Sequence, residues 1–295
     1  MAMAATGVIA VAASANAQDF AALVDDVNTT AISQGRNVVV LKAEYFGAGD
    51  SIDANGRTVF FSNRGNKQLS GDFVPAAYGL QLDNSDDVSY YVDDNRATFD
   101  IPVAASNAAL DRAMATWDGV KCSTLNMTEF TFDGRRTGFI AALLGDPNGS
   151  FDYVADITHA GWLPAVVFDF FLPGGGSSIL GVTFSIAYVD DEGNPTDVDN
   201  NGKADVAWRE IYFNDGFEWN DGSGITFDIE TVGLHEAGHG LSQDHFGDAF
   251  RTQSNNKLHF APRAVMNASY TGVQRKIAHS DNGGHCSNWA QWPNN

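Results

Sequence analysis

Apolar residues recur along this chain in two rhythms, and these mark out its elements before any chemistry is considered. From Ser106, Leu110, Ala113, Met114 and Trp117 fall at i, i+3, i+4 and i+7, one face of an amphipathic helix with Ser106 as its N-cap. A shorter helical face runs through Phe20, Leu23, Val24 and Val27 within residues 19–33. Elsewhere β-branched and aromatic residues gather in short runs: 37–46, 58–61, 88–92, 125–132, 153–157, 179–189 and 207–213 read as strands. The apolar run 166–172 leads into a loop of Pro173 and three glycines, and 47–57 is a turn rich in Gly, Asp, Asn and Ser. Strands with one early helix and one late helix predict an α+β layered fold. The polar stretch 62–74 closes a small N-terminal β-rich unit or pro-segment, 18–84, ahead of a larger domain, 85–295.

The ends and the composition narrow the setting. Met3 to Ala13 is apolar but too short to span a bilayer, and Ala15-Asn16-Ala17 supplies an A-x-A cleavage pattern. Residues 1–17 are therefore expected to be a signal peptide, although no Lys or Arg precedes the apolar run. No later run is long enough for a membrane span, so the mature chain is expected to be exported: extracellular, or periplasmic if retained. Cys122 and Cys286 are the only cysteines, and in an oxidising compartment they are expected to form one disulfide. With 37 acidic against 17 basic residues the formal charge is −20, which argues against nucleic acid and anionic membranes as partners and suits divalent cations.

The chemistry concentrates in residues 231–245, T-V-G-L-H-E-A-G-H-G-L-S-Q-D-H. His235 and His239 lie one helical turn apart on one face, Glu236 stands beside the first, and His245 follows six residues after the second. Three neutral imidazoles leave a fourth position for water on a zinc ion, and a neighbouring carboxylate can take that water's proton. His159, His259, His279 and His285 have no such spacing. A second motif, Asp197-Val-Asp199-Asn-Asn201-Gly202-Lys203-Ala-Asp205, follows a calcium-loop pattern. Asp197, Asp199, Asn201 and Asp205 would ligate through side chains and Lys203 through its carbonyl. Trp208 stands where the bidentate carboxylate belongs, leaving Glu210, Asp190 or Asp191 to supply it.

The run His235-Glu236-x-x-His239-x-x-Ser242-x-x-His245, followed by Ala264-Val265-Met266-Asn267, resembles the metzincin zinc endopeptidases, nearest to matrixin-like bacterial secreted proteases. Residues 109–117, 155–157, 179–182 and 211–214 are similar to that family's first helix and successive strands. The resemblance implies a twisted mixed sheet, an early packing helix and an active-site helix. It implies zinc on His235, His239 and His245, Glu236 as general base for peptide-bond hydrolysis through a zinc-bound water, and Met266 as an apolar floor. It further implies an edge strand at Leu180 and Gly181 that pairs with an extended protein or peptide substrate, with Tyr270 lining the specificity pocket or aiding the oxyanion. The protein is expected to be a monomer. The alternative is a non-catalytic, metal-stabilised binding or adhesion module on the same fold. Ser242 stands where the family has glycine. A left-handed backbone there would cost roughly 1–2 kcal/mol, unless Gly240 absorbs the bend.

Overall fold

The computed structural model describes residues 17–33, 35–49, 56, 58–61, 71–222 and 224–294; the expected leader, 1–17, lies outside them but for Ala17. Among the described residues the longest strands are the most apolar runs, and they line up side by side. The central sheet has the order β2 (Thr58–Phe60), β1 (Val38–Gly47), β7 (Ile179–Tyr188), β8 (Ala204–Asn214), β6 (Ile157–Leu163), β4 (Val88–Val92), β5 (Met127–Phe130), with β3 (Gly71–Phe73) also paired to β8. β3, β4, β5, β6 and β8 run parallel, and β7, β1 and β2 alternate antiparallel beyond them. The result, among the described residues, is a mixed sheet with six α-helices around it, in keeping with the α+β expectation.

Alternating side chains divide the core between two faces. One face carries α2 (Val103–Asp118), α5 (Ile229–Gly240) and α6 (His279–Trp289), packed over Ile157, Ile211 and Phe213. The other carries α1 (Ala17–Ser33), α3 (Phe139–Leu143) and α4 (Ala165–Phe171), packed around Phe184, Trp208 and Tyr212. Leu110, Ala113, Met114 and Trp117 are all buried, as their spacing predicts. The helix begins earlier than expected, however: Pro102 is the N-cap, and Ser106 lies inside with its amide bonded to Pro102 O. The apolar run 166–172 falls in the helix Ala165–Phe171 and its C-cap Leu172, and β6 starts only at Ile157, where the strand expected over 153–157 was to end.

Two expectations about the N-terminal unit change. Among the described residues of 18–84, β1, β2 and β3 are strands of the central sheet rather than of a separate one. β7 is therefore not an open edge: it pairs with β1 from Val38↔Tyr188 to Gly47↔Ile179. Leu180 and Gly181 lie in the interior of the sheet, with Gly181 opposite Phe46. Cys122 and Cys286 form the expected disulfide, which ties α6 to the loop after α2. No helix among the described residues is long and apolar enough to cross a membrane.

Candidate metal centre

α5 is buried along its whole length, so its ends and polar groups need built partners. Two short strands, β9 (Trp219–Asn220) and β10 (Phe227–Asp228), lead into it. Asp228 is the N-cap and accepts from the Thr231 amide at 2.8 Å and the Thr231 hydroxyl at 2.6 Å. Arg275 in turn binds the Asp228 carboxylate. Trp117 donates its indole N–H to Leu234 O at 2.8 Å, which fastens α2 across the helix middle.

The three histidines meet as their spacing requires. Their Nε2 atoms are separated by 3.0 Å (His235–His239), 3.2 Å (His239–His245) and 3.3 Å (His235–His245). A tetrahedral ion held at typical zinc–nitrogen lengths would set its nitrogens roughly 3.3 Å apart. Two tautomers are fixed from behind: His235 Nδ1–H donates to Val265 O at 2.7 Å, and His239 Nδ1–H donates to Gln243 O at 2.7 Å. Their Nε2 lone pairs consequently face one another, an arrangement that a cation relieves. Burial holds all three imidazoles below the usual histidine range, His245 down to about 4, so they are neutral at pH 7, the form in which an imidazole can ligate. These residues can hold a metal ion.

Glu236 is fully buried, and burial raises its carboxyl well above the usual range. Thr183 on β7 donates to its Oε2 at 2.6 Å, while Oε1 has no hydrogen-bond partner among the described residues. Gly181 makes room for it: a Cβ there would come within 2.7 Å of Glu236 Oε1. The role of Gly181 is thus to seat the carboxylate.

Met266 is buried beneath α5, against Gly238, where a Cβ would collide with its sulfur. Asn267 staples this turn, donating to Phe246 O at 2.8 Å and accepting from the Ala264 amide at 2.8 Å. The long span between His245 and Met266 is taken up by a hairpin, β11 (Asp248–Arg251) and β12 (Leu258–Ala261). Tyr270 is half-buried against Phe46 and Phe227.

Two supporting residues were not among the sequence candidates. Asp281 on α6 accepts from the amides of Val265 (3.0 Å), Met266 (3.1 Å) and Ala278 (2.7 Å). It thereby places Val265 O behind His235. Arg209 is wholly buried and donates to Gly240 O at the C-terminus of α5, to Gly71 O at 2.8 Å, and to Ser185 Oγ and Ser242 Oγ at 3.1 Å. Ser242 has φ +66°, so the left-handed turn falls on it, whereas Gly240 has no positive φ and instead packs closely on Ile157. The Arg209 contact and the bond from Asn288 Nδ2 to Ser242 O (2.9 Å) hold the strained residue in place. A charged pair, Arg209-Glu210, inside an otherwise apolar strand is the sequence signal that could have found Arg209.

The acidic loop brings carboxylate oxygens of Asp197, Asp199 and Asp205 within 4.8 Å of one another. Gly202 (φ +84°) and Asn200 (φ +59°) make its sharp turn. Burial and the nearby carboxylates raise Asp199 to about 6. Asn201 Oδ1 accepts from the Lys203 amide at 2.8 Å, and Lys203 Nζ pairs with Asp72 of β3 at 3.0 Å. The expected twelfth-position carboxylates are not free to join. Glu210 is buried on the opposite side, accepting from the Phe139 and Ile140 amides at the start of α3, and Asp190 caps its own turn at Glu192 and Asn194. Asp191 is not in the cluster.

No protein-family model matches this chain, and no curated protein matches it either.

Proposed function

We propose that this protein is an exported zinc endopeptidase of the metzincin type. The observation that carries the reading is the triad of inward-facing, neutral Nε2 atoms on His235, His239 and His245, with a buried, half-satisfied carboxylate on the same helix. A zinc ion bound there supplies Lewis acidity toward a peptide carbonyl and acidifies water at its open position. Val265 O and Gln243 O keep His235 and His239 in the ligating tautomer. A cation held by the three histidines would favour the ionised form of Glu236, against the effect of burial. Its unpartnered Oε1 would accept a proton from the attacking water and pass it to the leaving amine, while Thr183 keeps Oε2 fixed. The acidic loop would hold calcium between β7 and β8 through Asp197, Asp199 and Asp205. The disulfide and the A-x-A leader pattern support export.

The alternative, a metal-stabilised binding module, has no use for an unpaired buried carboxylate next to the ligands. The discriminating experiment is Glu236→Gln: zinc stoichiometry stays at wild-type level and cleavage of an unfolded protein substrate is abolished. A wild-type, zinc-loaded protein that cleaves no substrate after release of its N-terminal segment would leave only the binding module.

A further inference from the structure

A peptide reaching the three histidines from the sheet side has two backbone surfaces to pair with: β7 and the segment 268–270. In this chain both are already paired. β1 runs antiparallel to β7 over its full length. At its far end, Gly47 N–H donates to Ala268 O at 3.1 Å, Tyr270 N–H donates to Gly47 O at 2.8 Å, and Gly47 bridges Ser269 in parallel. The Gly56 amide also donates to Ala268 O, at 2.7 Å, and a Cβ on Gly56 would lie 2.9 Å from His245 Cε1. β1 thus lies between β7 and β2, and its last residue reaches on to pair with the segment 268–270, so that it covers β7 as an extended ligand does in strand addition.

Its side chains meet the site in the same manner. Phe46 stacks on His235 with ring centroids 3.8 Å apart and planes 15° apart, and meets Tyr270 edge-on at 6.4 Å. The ring is buried, and with Thr231, Val265 and Tyr270 it lines a small recess beside His235. Two residues back, Glu44 Oε1 lies 3.4 Å from His239 Nδ1, and its other oxygen pairs with Lys42 at 2.8 Å; both side chains are completely buried. A buried ion pair adds little net stability compared with apolar packing. Over this face an incoming peptide can reproduce the backbone ladder and the Phe46 ring, while on the other face Val40, Ala43 and Tyr45 are buried with Phe184 and Tyr212.

We propose that β1 is a resident peptide mimic, and that the recess holding Phe46 is the side-chain pocket that selects an aromatic residue in the peptides this site accepts. This rests on the metalloprotease reading of the site. Entry of a substrate requires β1 to leave, and the substrate strand then runs antiparallel to β7 with an aromatic ring against His235.

The test is binding rather than cleavage. Two fluorescent peptide hydroxamates, one with Phe and one with Ala beside the hydroxamate, are titrated into the zinc-loaded full chain, wild type and Phe46→Ala. The expected result is at least tenfold tighter binding of the Phe probe to Phe46→Ala than to wild type, with the Ala probe showing no such gain. Equal affinity of the Phe probe for both proteins, no preference for Phe over Ala in the variant, or no binding to either zinc-loaded protein overturns the proposal. If Phe46→Ala does not fold, hydrogen exchange on wild type decides. A saturating Phe probe is expected to expose the amides of residues 38–47 while those of 204–214 stay protected, and unchanged protection of 38–47 overturns the proposal. Because neither readout needs hydrolysis, a protein that binds the probe in place of β1 but never cleaves sinks the protease reading alone. One that cleaves with β1 still protected sinks this inference alone.

Discussion

The perturbation that best separates support of the site from support of the fold is Asp281→Ala. Asp281 contacts no ligand histidine; it acts through three backbone amides, at Val265, Met266 and Ala278. Removing the carboxylate strands these donors in a buried turn, at about 1–3 kcal/mol for each one left unsatisfied. Partial rescue by rearrangement leaves a loss of about 3–5 kcal/mol, and at about 2–4 °C per kcal/mol the melting temperature falls by about 10 °C. The functional consequence is separate. Val265 O is the acceptor that fixes His235, so a loosened turn frees that imidazole to rotate and change tautomer. Loss of such an outer partner costs about 10–100-fold in metal affinity. The assay is zinc affinity by chelator competition at a temperature where the variant is fully folded, beside thermal unfolding. Asp281→Asn, which keeps one acceptor oxygen, is expected to fall between wild type and Ala in both. A variant that melts 10 °C lower yet binds zinc as tightly as wild type would refute the proposed link from α6 to His235.

Three further outcomes are expected. Ser242→Gly relieves a left-handed strain of roughly 1–2 kcal/mol but removes an acceptor from Arg209, so its net effect on chemical denaturation is within about 1 kcal/mol, whereas Ser242→Ala keeps the strain and loses about 1.5–3 kcal/mol; Ala as stable as Gly would show the backbone strain to be immaterial. A calcium-selective chelator lowers the melting temperature through Asp197, Asp199 and Asp205, and an unchanged transition counts against calcium there. Burial holds His159 down to about 3 against an ordinary 6.5. The native state therefore binds fewer protons than the unfolded chain between those values, so this stabilisation is complete above pH 6.5 and is lost as pH falls towards 3. His159→Phe should flatten the melting temperature's dependence on pH between 4 and 7; identical slopes in the two proteins would exclude His159 as a source.

Much of this architecture can be read from local pattern. The strand at 88–92, the stripe from Leu110 to Trp117 and the histidine helix depend on period and spacing, which neighbours reinforce but do not create. What escaped depends on partners distant in the chain. α6 reads His-Ser-Asp-Asn-Gly-Gly-His, a poor helix former without an apolar stripe, and only Asp281, His285 and Trp289 are buried in it. Its helicity comes from the disulfide, the Asp281 bonds and Trp289 packing, all tertiary. The β1–β7 ladder joins residues more than a hundred positions apart, and nothing local distinguishes an edge strand from a paired one. Within the candidate site the three histidines and Glu236 were legible from their spacing, while Arg209, Asp281 and the Phe46 contact were not, since each is defined by what it meets in space.

The β1–β7 ladder also sets an order of events during synthesis. β7 is complete at residue 188 and its other neighbour β8 at 214, whereas the third histidine is residue 245. At about 5–20 residues per second, the nascent chain spends several seconds with β1, β7 and β8 available and the histidine triad unfinished. The hydrophobic gain of completing that ladder is on hand throughout the interval, because Tyr45, Phe184 and Tyr212 share one core. A chain that folds as it emerges would therefore close its triad beneath a strand already in place, with the three histidines covered from the moment they meet.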